Sequence, residues 1–165
     1  MIDAEELSRC SWHEPGGLAA AQTIVSFLDQ IGLTVTVGAD LGETFLPGLA
    51  IRSGAIVIDP AARVWPGDLL HEAGHVAVTE APARAELDQP PADGGTEMAA
   101  IAWSVAAALA CGVGLDVLFH QEGYKGDATW LRGQFAVGKP FGVPLLAWYG
   151  LTSEVEFPEM QRWLR

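Results

Sequence analysis

The sequence has little cysteine and little positive charge, and each shortage bears on the class of protein. Only two cysteines occur, Cys10 and Cys111, and neither belongs to a Cys-x-x-Cys pair. Their spacing suggests neither a zinc ribbon nor a disulfide-stapled fold. Nine lysines and arginines stand against 21 aspartates and glutamates, for a formal net charge of −12. Because phosphate backbones repel such a chain, we expect no direct nucleic-acid binding.

The N-terminus and the longest apolar run bear on location. The opening, MIDAEELSRC, is acidic and lacks the basic and apolar regions of a signal peptide, so we expect a cytoplasmic protein. Residues 98–115 are apolar or small and are long enough for a membrane span. They are dominated by alanine and glycine and include Ser104, which favours a helix in a protein core. We therefore expect no membrane partner.

Apolar residues are abundant, and they indicate a folded core. They make up 50% of the 165 residues, and a chain of this length buries about 70% of the surface that it exposes when unfolded. No internal repeat, low-complexity linker or shift in composition divides the chain. We therefore expect a single domain that covers residues 1–165.

Local patterns predict the elements of the first third of the chain. Residues 17–31 have the apolar spacing of an amphipathic helix. Residues 33–37, LTVTV, alternate with period two and predict a strand. Residues 49–59 contain two strand-like runs around Ser53 and Gly54, which predicts a β-hairpin.

Proline and glycine mark the boundaries of the later elements. A helix is predicted from Pro66 to a point before Pro82, and a second apolar helix over residues 96–111. Residues 138–151 are expected to be irregular, and a short helix is expected to begin at Pro158. The pattern predicts an α+β protein with an N-terminal helix, a small, mostly antiparallel sheet and two buried helices.

One stretch, DLLHEAGHVAV at residues 68–78, carries a motif with chemical meaning. Its His71, Glu72 and His75 spell H-E-x-x-H. Residues four apart lie on the same face of a helix, so the two imidazoles can reach one zinc ion at about 2.0–2.1 Å. Glu72 flanks that face, where its carboxylate can act as a general base toward a water that the metal activates. The spacing predicts a zinc site with Glu72 beside it.

The surroundings of the motif favour this interpretation over a chance match. Apart from Asp68, the predicted helix is apolar nearly all round, so we expect the polar motif side chains to be buried. Buried polar groups without partners are costly, and a metal ion would resolve that cost for all three. Gly74 costs about 1 kcal/mol in a helix relative to alanine, which is consistent with close approach of a neighbouring element.

A catalytic zinc site needs a third protein ligand and one open position. The metzincin pattern would require glycine at position 78 and histidine at position 81, and the chain has Val78 and Ala81, so that arrangement is excluded. Glu97 begins the second apolar helix and is the leading candidate, although a glutamate there could instead stabilise the helix dipole. The other candidates for the third ligand are His120, Asp93 and Glu80.

This set of elements resembles the gluzincin metallopeptidases, which carry H-E-x-x-H on one helix and a glutamate ligand on a second. The size and the order of elements resemble most closely the small bacterial ImmA/IrrE-like family, over about residues 17–125. That resemblance implies a minimal zincin-like fold and a peptide or protein substrate, often a repressor-type transcriptional regulator. The chain has Ile101 where thermolysin-like enzymes have an aspartate, so the group that orients a histidine ligand is not assigned.

The segment FHQEGYKG, residues 119–126, contains candidates for stabilising the oxyanion that forms when a peptide carbonyl is attacked. In gluzincins a histidine or tyrosine downstream of the glutamate ligand has this role, so the resemblance implies His120 and Tyr124. The alternative is an ordinary surface loop. Elsewhere, His13 is expected to face solvent, and the tryptophans are expected in the core or the cleft wall, namely Trp103, Trp130 and Trp148.

The sequence therefore favours a zinc-dependent peptidase with Glu72 as general base. We expect an extended substrate to pair with an exposed strand of the 49–59 hairpin, and its second strand, residues 55–59, to lie at the sheet edge beside the cleft. The alternative is a zinc-binding regulatory or protein-interaction module without turnover. A third hypothesis is a metal-free helical protein.

Overall fold

The computed structural model describes residues 2–138 and 141–165. Within them the chain forms eight helices and five short strands, which confirms the α+β class. The helices are α1 (Ala4–Arg9), α2 (Gly17–Gln30), α3 (Pro66–Val78), α4 (Ala81–Arg84), α5 (Gly94–Cys111), α6 (Leu115–Leu118), α7 (Ala128–Ala136) and α8 (Val143–Trp148). The strands are β1 (Ser11–Trp12), β2 (Val35–Val37), β3 (Leu49–Arg52), β4 (Ala55–Ile58) and β5 (Arg63–Val64).

The main sheet has the strand order β2-β4-β3, with β4 parallel to β2 and antiparallel to β3. A separate two-stranded parallel pair joins β1 to β5. The expected mostly antiparallel sheet is therefore wrong, because two of the three ladders in the described residues are parallel. The expected edge position of residues 55–59 is also wrong, since β4 is paired on both sides. Alternation within a hairpin does not reveal which of its arms receives a third strand, and here β3 is the edge.

The hairpin itself forms as predicted. Ser53 and Gly54 both have left-handed backbone angles, φ 48° and 74°, as a two-residue type I′ turn requires. The Ser53 N–H donates to the Asp88 carboxylate at 2.7 Å, and the Gly54 N–H donates to the Leu87 carbonyl at 2.9 Å. These bonds tie the tip of the hairpin to the segment after α4.

Helix α3 is buried along its whole length. Pro66 occupies its first turn, where a missing N–H costs no intrahelical bond. The helix ends at Val78, before Pro82 as predicted. Beyond that end, the Arg84 guanidinium donates to the carbonyls of Val76 and Thr79 at 3.2 and 3.1 Å, which satisfies two acceptors.

Helix α5 packs directly on α3, and its residues from Ala99 to Ala108 are buried. It begins two residues earlier than predicted because the Asp93 carboxylate caps it by accepting from the Thr96 N–H at 2.7 Å. By length and composition alone α5 could cross a membrane. Its burial against α3 makes it a core helix of this fold, as its alanine-rich composition predicted.

Gly74 sets the approach of these two helices. A Cβ atom at this position would lie 2.6 Å from the Ala100 carbonyl oxygen and 3.1 Å from the Ala100 Cα. Both are backbone atoms of α5, so the clash could not be relieved by turning a side chain. The expected close approach at Gly74 is thus confirmed, and it brings the metal-ligand candidates of the two helices together.

We expect Gly74→Ala to destabilise the fold by about 1–3 kcal/mol, because overpacking outweighs the gain of roughly 1 kcal/mol in helix propensity. Urea unfolding measures the difference. Gly133→Ala is the matched control, since Gly133 also lies in a helix, α7, and an added Cβ there meets nothing within 4 Å. The control should be neutral or stabilised. Equal effects of the two changes would contradict a tight α3–α5 contact.

Several predictions about the chain ends are wrong. Residues 143–148 form α8 within the segment expected to be irregular, with Pro144 in its first turn; Lys139 and Pro140, in the same segment, lie outside the described residues. No helix begins at Pro158. Backbone groups near the C-terminus instead bond to the two core helices, since the Trp163 carbonyl accepts from Trp103 Nε1 at 2.9 Å and the Arg165 N–H donates to the Ala77 carbonyl at 3.0 Å.

Helix α1 was not predicted, although its start carries a recognisable signal. Asp3 and Glu6 form a capping box, in which each side chain accepts from the other residue's N–H.

The predictions for the tryptophans and for His13 have different outcomes. Trp103 is fully buried as expected, but Trp148 is 83% exposed and His13 is half-buried, stacked on Trp65 with ring centroids 4.3 Å apart. The predictions for Trp148 and His13 are therefore wrong.

Candidate metal centre

The metal centre is built from two residues of α3 and one of α5. His71 and His75 lie one turn apart, and their Nε2 atoms are 3.3 Å from each other. Glu97, in the first turns of α5, has one carboxylate oxygen 3.4 Å from His71 Nε2 and the other 3.0 Å from His75 Nε2. One donor atom from each residue lies within 4.8 Å of the other two. The three residues therefore lie close enough to bind one metal ion.

The other candidates for the third ligand have different partners. Asp93 caps α5, and Glu80 forms an ion pair with Arg165 at 2.7 Å. His120 bonds to Asp68 at 2.8 Å. The geometry thus brings Glu97, and none of these three, into the group with His71 and His75.

Burial sets the charge of the candidate ligands. Both histidines are buried. Desolvation, followed by the neighbouring His75, lowers the pKa of His71 to about 4, so this imidazole is neutral and free to bind a metal at physiological pH. Burial acts to raise the pKa of Glu97, but the hydrogen bond with His75 is the largest of the opposing causes, which together hold it below its ordinary value. The donor set is therefore two imidazole nitrogens and one carboxylate.

This donor set fits zinc. Zinc prefers nitrogen and oxygen donors of these types, and catalytic zinc sites use three protein ligands. The Nδ1 atoms of His71 and His75 are buried without a hydrogen-bond partner in the described part of the chain, so each imidazole directs its one partnered nitrogen, Nε2, toward Glu97. Two imidazoles and a carboxylate that converge on one point would offer their lone pairs to a cation there.

Glu72 lies beside the group without belonging to it. Its side chain is buried, and desolvation raises its pKa from 4.5 to about 7. A carboxylate with a pKa near the working pH is suited to accept and return a proton. Glu72 is therefore buried, as expected for the motif side chains, and its chemical role stays a prediction.

Two cavities meet at the metal centre. The apolar cavity, of about 770 Å³, includes His71 and Glu97 in its wall and is otherwise lined chiefly by Trp65, Ile101, Trp130, Leu131 and Phe141. The strand cavity, of about 330 Å³, is lined by β3, Glu72, His75 and Glu97. The two share walls at Phe45, Pro91, Ala92 and Glu97. The two cavities therefore adjoin beside the candidate metal ligands.

The strand cavity borders the edge of β3 that faces away from β4, and this edge is partly open. The Asp59 N–H donates to the Gly48 carbonyl at 2.9 Å, so the alternation of an antiparallel pair directs the backbone groups of Leu49 and Ile51 away from β4. The Leu49 N–H donates to Leu46, and the Ile51 carbonyl accepts from the Arg52 side chain. Leu46 also forms a β-bridge with Leu49 on this side, so of these four groups the Ile51 N–H alone lacks a partner among the described residues. The hairpin therefore borders the site, through β3 rather than β4.

His120 and Tyr124 both line the apolar cavity. His120 is buried, stacks on Trp65 at 4.1 Å and bonds through Nε2 to the buried Asp68 carboxylate. The Tyr124 ring lies edge-on to His71 with centroids 5.2 Å apart. Desolvation raises the pKa of Tyr124 well above its ordinary value, so its hydroxyl keeps its proton. Both side chains lie near the candidate metal ligands rather than on an outer surface loop.

Asp68 is the residue that the sequence analysis did not connect to the site. The sequence marks it only as the polar exception on an otherwise apolar helix. Its spacing offered a signal, because Asp68 is three residues before His71 and so lies on the same side of the helix. Its actual partner, His120, is 52 residues away in the chain, which no local pattern indicates.

Comparison with known proteins does not extend this description. No protein-family model matches the chain, and no curated protein and no solved structure matches it. What defines the class of this protein is therefore its own geometry: an α+β fold with a buried His-His-Glu group that can bind a metal ion at the junction of two cavities.

Proposed function

We propose that this chain is a zinc-dependent peptidase with a zincin-like fold. The observation that carries the proposal is the convergence of His71, His75 and Glu97 at the junction of two cavities, with the buried Glu72 carboxylate beside them. Among the described residues, the group contains three side chains that can each offer one ligand atom to a metal ion. Three protein ligands leave one position open, as catalytic zinc sites require and four-ligand structural sites do not.

His71, His75 and Glu97 would hold the zinc ion. When bound, zinc supplies Lewis acidity, which activates a water molecule and polarises a carbonyl group. Glu72 accepts the proton of the attacking water and delivers it to the leaving amine, so a single carboxylate serves as base and then as acid. The raised pKa of Glu72, about 7, supports both halves of this proton transfer.

The groups on the other side of the ligands are suited to charge stabilisation. Glu72 lines the strand cavity, whereas Tyr124 and His120 line the apolar cavity. A substrate carbonyl between them would meet the base on one side and a donor on the other. The Tyr124 hydroxyl keeps its proton and is the stronger candidate donor. His120 is held in place by Asp68 and by its stack on Trp65.

We expect Tyr124→Phe to lower kcat by a factor of about 10²–10³, the effect typical of losing one oxyanion donor. Zinc content should not change, because the tyrosine is outside the ligand group. Steady-state kinetics with a cleavable peptide measure the effect, and Tyr149→Phe, at a tyrosine that lines neither cavity, is the control. An unaltered kcat in Tyr124→Phe would transfer the donor role to His120, tested next as His120→Gln.

An extended peptide is the substrate that the partly open outer edge of β3 supports. Backbone pairing with the Ile51 N–H would orient the chain along the strand cavity, and side chains would enter the apolar cavity. A protein substrate, including the transcriptional regulator that the family resemblance implies, would have to present such a segment in extended form.

The proposal is tested by incubating the zinc-loaded protein with a peptide library and scoring new termini by mass spectrometry. Cleavage should stop when a chelator removes the zinc and return when zinc is restored. Zinc binding without cleavage of any peptide would favour the alternative, a zinc-binding regulatory or protein-interaction module.

A further inference from the structure

The charge at the mouth of the two cavities points to a particular class of peptide. Five carboxylates line the cavities at exposed positions, namely Glu43, Asp88, Asp93, Glu122 and Asp127. Among residues 2–138 and 141–165, two exposed cationic side chains line them, Arg52 and Lys125. We propose that the cleft formed by the two cavities selects peptide segments with basic residues on both sides of a large apolar residue. This inference rests on the peptidase function proposed above.

Three of the five carboxylates are available to a ligand. Asp88 is engaged by the Ser53 N–H, and Asp93 by the N-terminus of α5. Glu43, Glu122 and Asp127 make no side-chain hydrogen bond or ion pair within residues 2–138 and 141–165. Glu43 borders the strand cavity, whereas Glu122 and Asp127 border the apolar cavity. Negative charge therefore stands at both ends of the cleft.

The cations beside the two cavities offset only part of this charge. The Arg52 guanidinium is held by backbone carbonyls, with Nη1 2.9 Å from that of Ile51 and Nη2 3.1 Å from that of Leu41. The guanidinium is therefore held against the protein's own backbone. Lys125 is the other exposed cation among the described residues of the cavity walls. The net charge of −12 adds a long-range field of the same sign, which concentrates cationic ligands near the cleft.

The aromatic residues at the mouth favour the same ligand. Trp130 is 56% exposed and Phe45 is 72% exposed, and both line the apolar cavity. Exposed aromatic faces attract ammonium and guanidinium groups, and they also cover the alkyl stems of lysine and arginine. His120 contributes a further polar atom in the wall of this cavity, a buried Nδ1 without a hydrogen-bond partner in the described residues.

The apolar residue between the charges follows from the shape of the apolar cavity. Its volume of about 770 Å³ lies within the roughly 300–1,000 Å³ of pockets that enclose small ligands. Its wall is mostly aliphatic and aromatic, so a leucine, phenylalanine or larger apolar side chain would be desolvated there. A segment with basic residues around such a side chain therefore matches both the apolar wall of the cavity and the exposed carboxylates beside it.

The test measures binding with the zinc-loaded Glu72→Gln protein, so that the readout is affinity rather than turnover. One labelled peptide carries phenylalanine with two lysines on each side, and its partner carries glutamates at the same positions. Fluorescence anisotropy should show at least about tenfold tighter binding of the lysine peptide, with the preference decreasing as ionic strength rises. Exposed ion pairs contribute about 1.4- to 5-fold each.

The triple variant Glu43→Gln, Glu122→Gln, Asp127→Asn should lose most of this preference. Its matched control is Glu154→Gln, Glu159→Gln, Asp29→Asn, which changes the net charge equally at exposed positions that line neither cavity. All six changes are at the surface, and thermal unfolding should confirm that both triple variants are folded. Equal affinity for the two peptides, or equal losses in the two triple variants, would overturn the inference.

Hydrolysis by the wild-type protein separates this inference from the function on which it rests. If the protein binds the lysine peptide selectively but cleaves no peptide, the peptidase fails and the selectivity for basic segments stands. If it cleaves acidic and basic peptides equally well, the peptidase stands and the inference is overturned.

Discussion

The Glu72→Gln variant is expected to keep its zinc and to lose peptide hydrolysis by a factor of about 10²–10⁴, the contribution typical of a general base. Glutamine preserves the size and shape of the side chain but cannot accept the proton. The zinc should stay because Glu72 lies outside the group formed by His71, His75 and Glu97. Elemental analysis and single-turnover kinetics on the same preparation measure the two quantities together.

The control for this variant is Glu86→Gln, which makes the same change at an exposed glutamate that lines neither cavity. It should leave both zinc content and hydrolysis unchanged. If Glu72→Gln loses its zinc, Glu72 is a ligand, and the role of general base must be assigned elsewhere. If it keeps both its zinc and its full activity, the proposed proton transfer through Glu72 is wrong.

The second large effect is expected at the metal ligands. Wild-type protein should carry one zinc per chain, and His71→Ala and Glu97→Ala should bind zinc more weakly by more than the roughly 10–100-fold that is typical of losing a group that only orients a ligand. Because zinc binds the folded state, a zinc concentration of 1,000 times Kd should add about 4 kcal/mol to the free energy of unfolding of the wild type. That stabilisation should be nearly absent in both variants.

The controls are the two other acidic candidates for the third ligand. Glu80→Ala removes a partner of Arg165, and Asp93→Asn keeps the shape of the α5 cap; neither residue belongs to the metal group. Both variants should keep their zinc. Unchanged zinc content in Glu97→Ala would exclude Glu97 as third ligand, and His120 would be examined next. If the ion proves to have four protein ligands, the site is structural, so that the peptidase is wrong although the zinc site stands.

The arrangement of the two helices explains why Glu97 could be selected only in three dimensions. The sequence offered Glu97, Asp93, Glu80 and His120 as third ligand. Each of the other three has a local or distant partner in the structure: a helix cap, Arg165 and Asp68. Which acid remains for the metal depends on how closely α5 approaches α3, and that distance is set at Gly74.

Much of the candidate site was determined by the sequence itself. The four-residue spacing of His71 and His75 places both on one face of a helix, because the α-helix repeats every 3.6 residues. Pro66 and the residues before Pro82 bound that helix, and Ser53-Gly54 encodes the hairpin turn. These features depend on backbone geometry and on hydrogen bonds between residues at most a few positions apart, so the local sequence is sufficient to determine them.

Only the tertiary structure decided the remaining features. The pairing of His120 with Asp68, the central position of β4 and the loss of a helix after Pro158 each depend on segments that are far apart in the chain. In each case the hydrogen-bond partners come from a distant segment, which no local pattern indicates. Buried polar groups must be satisfied wherever a partner lies, and the position of that partner is known only once the helices and the sheet have packed.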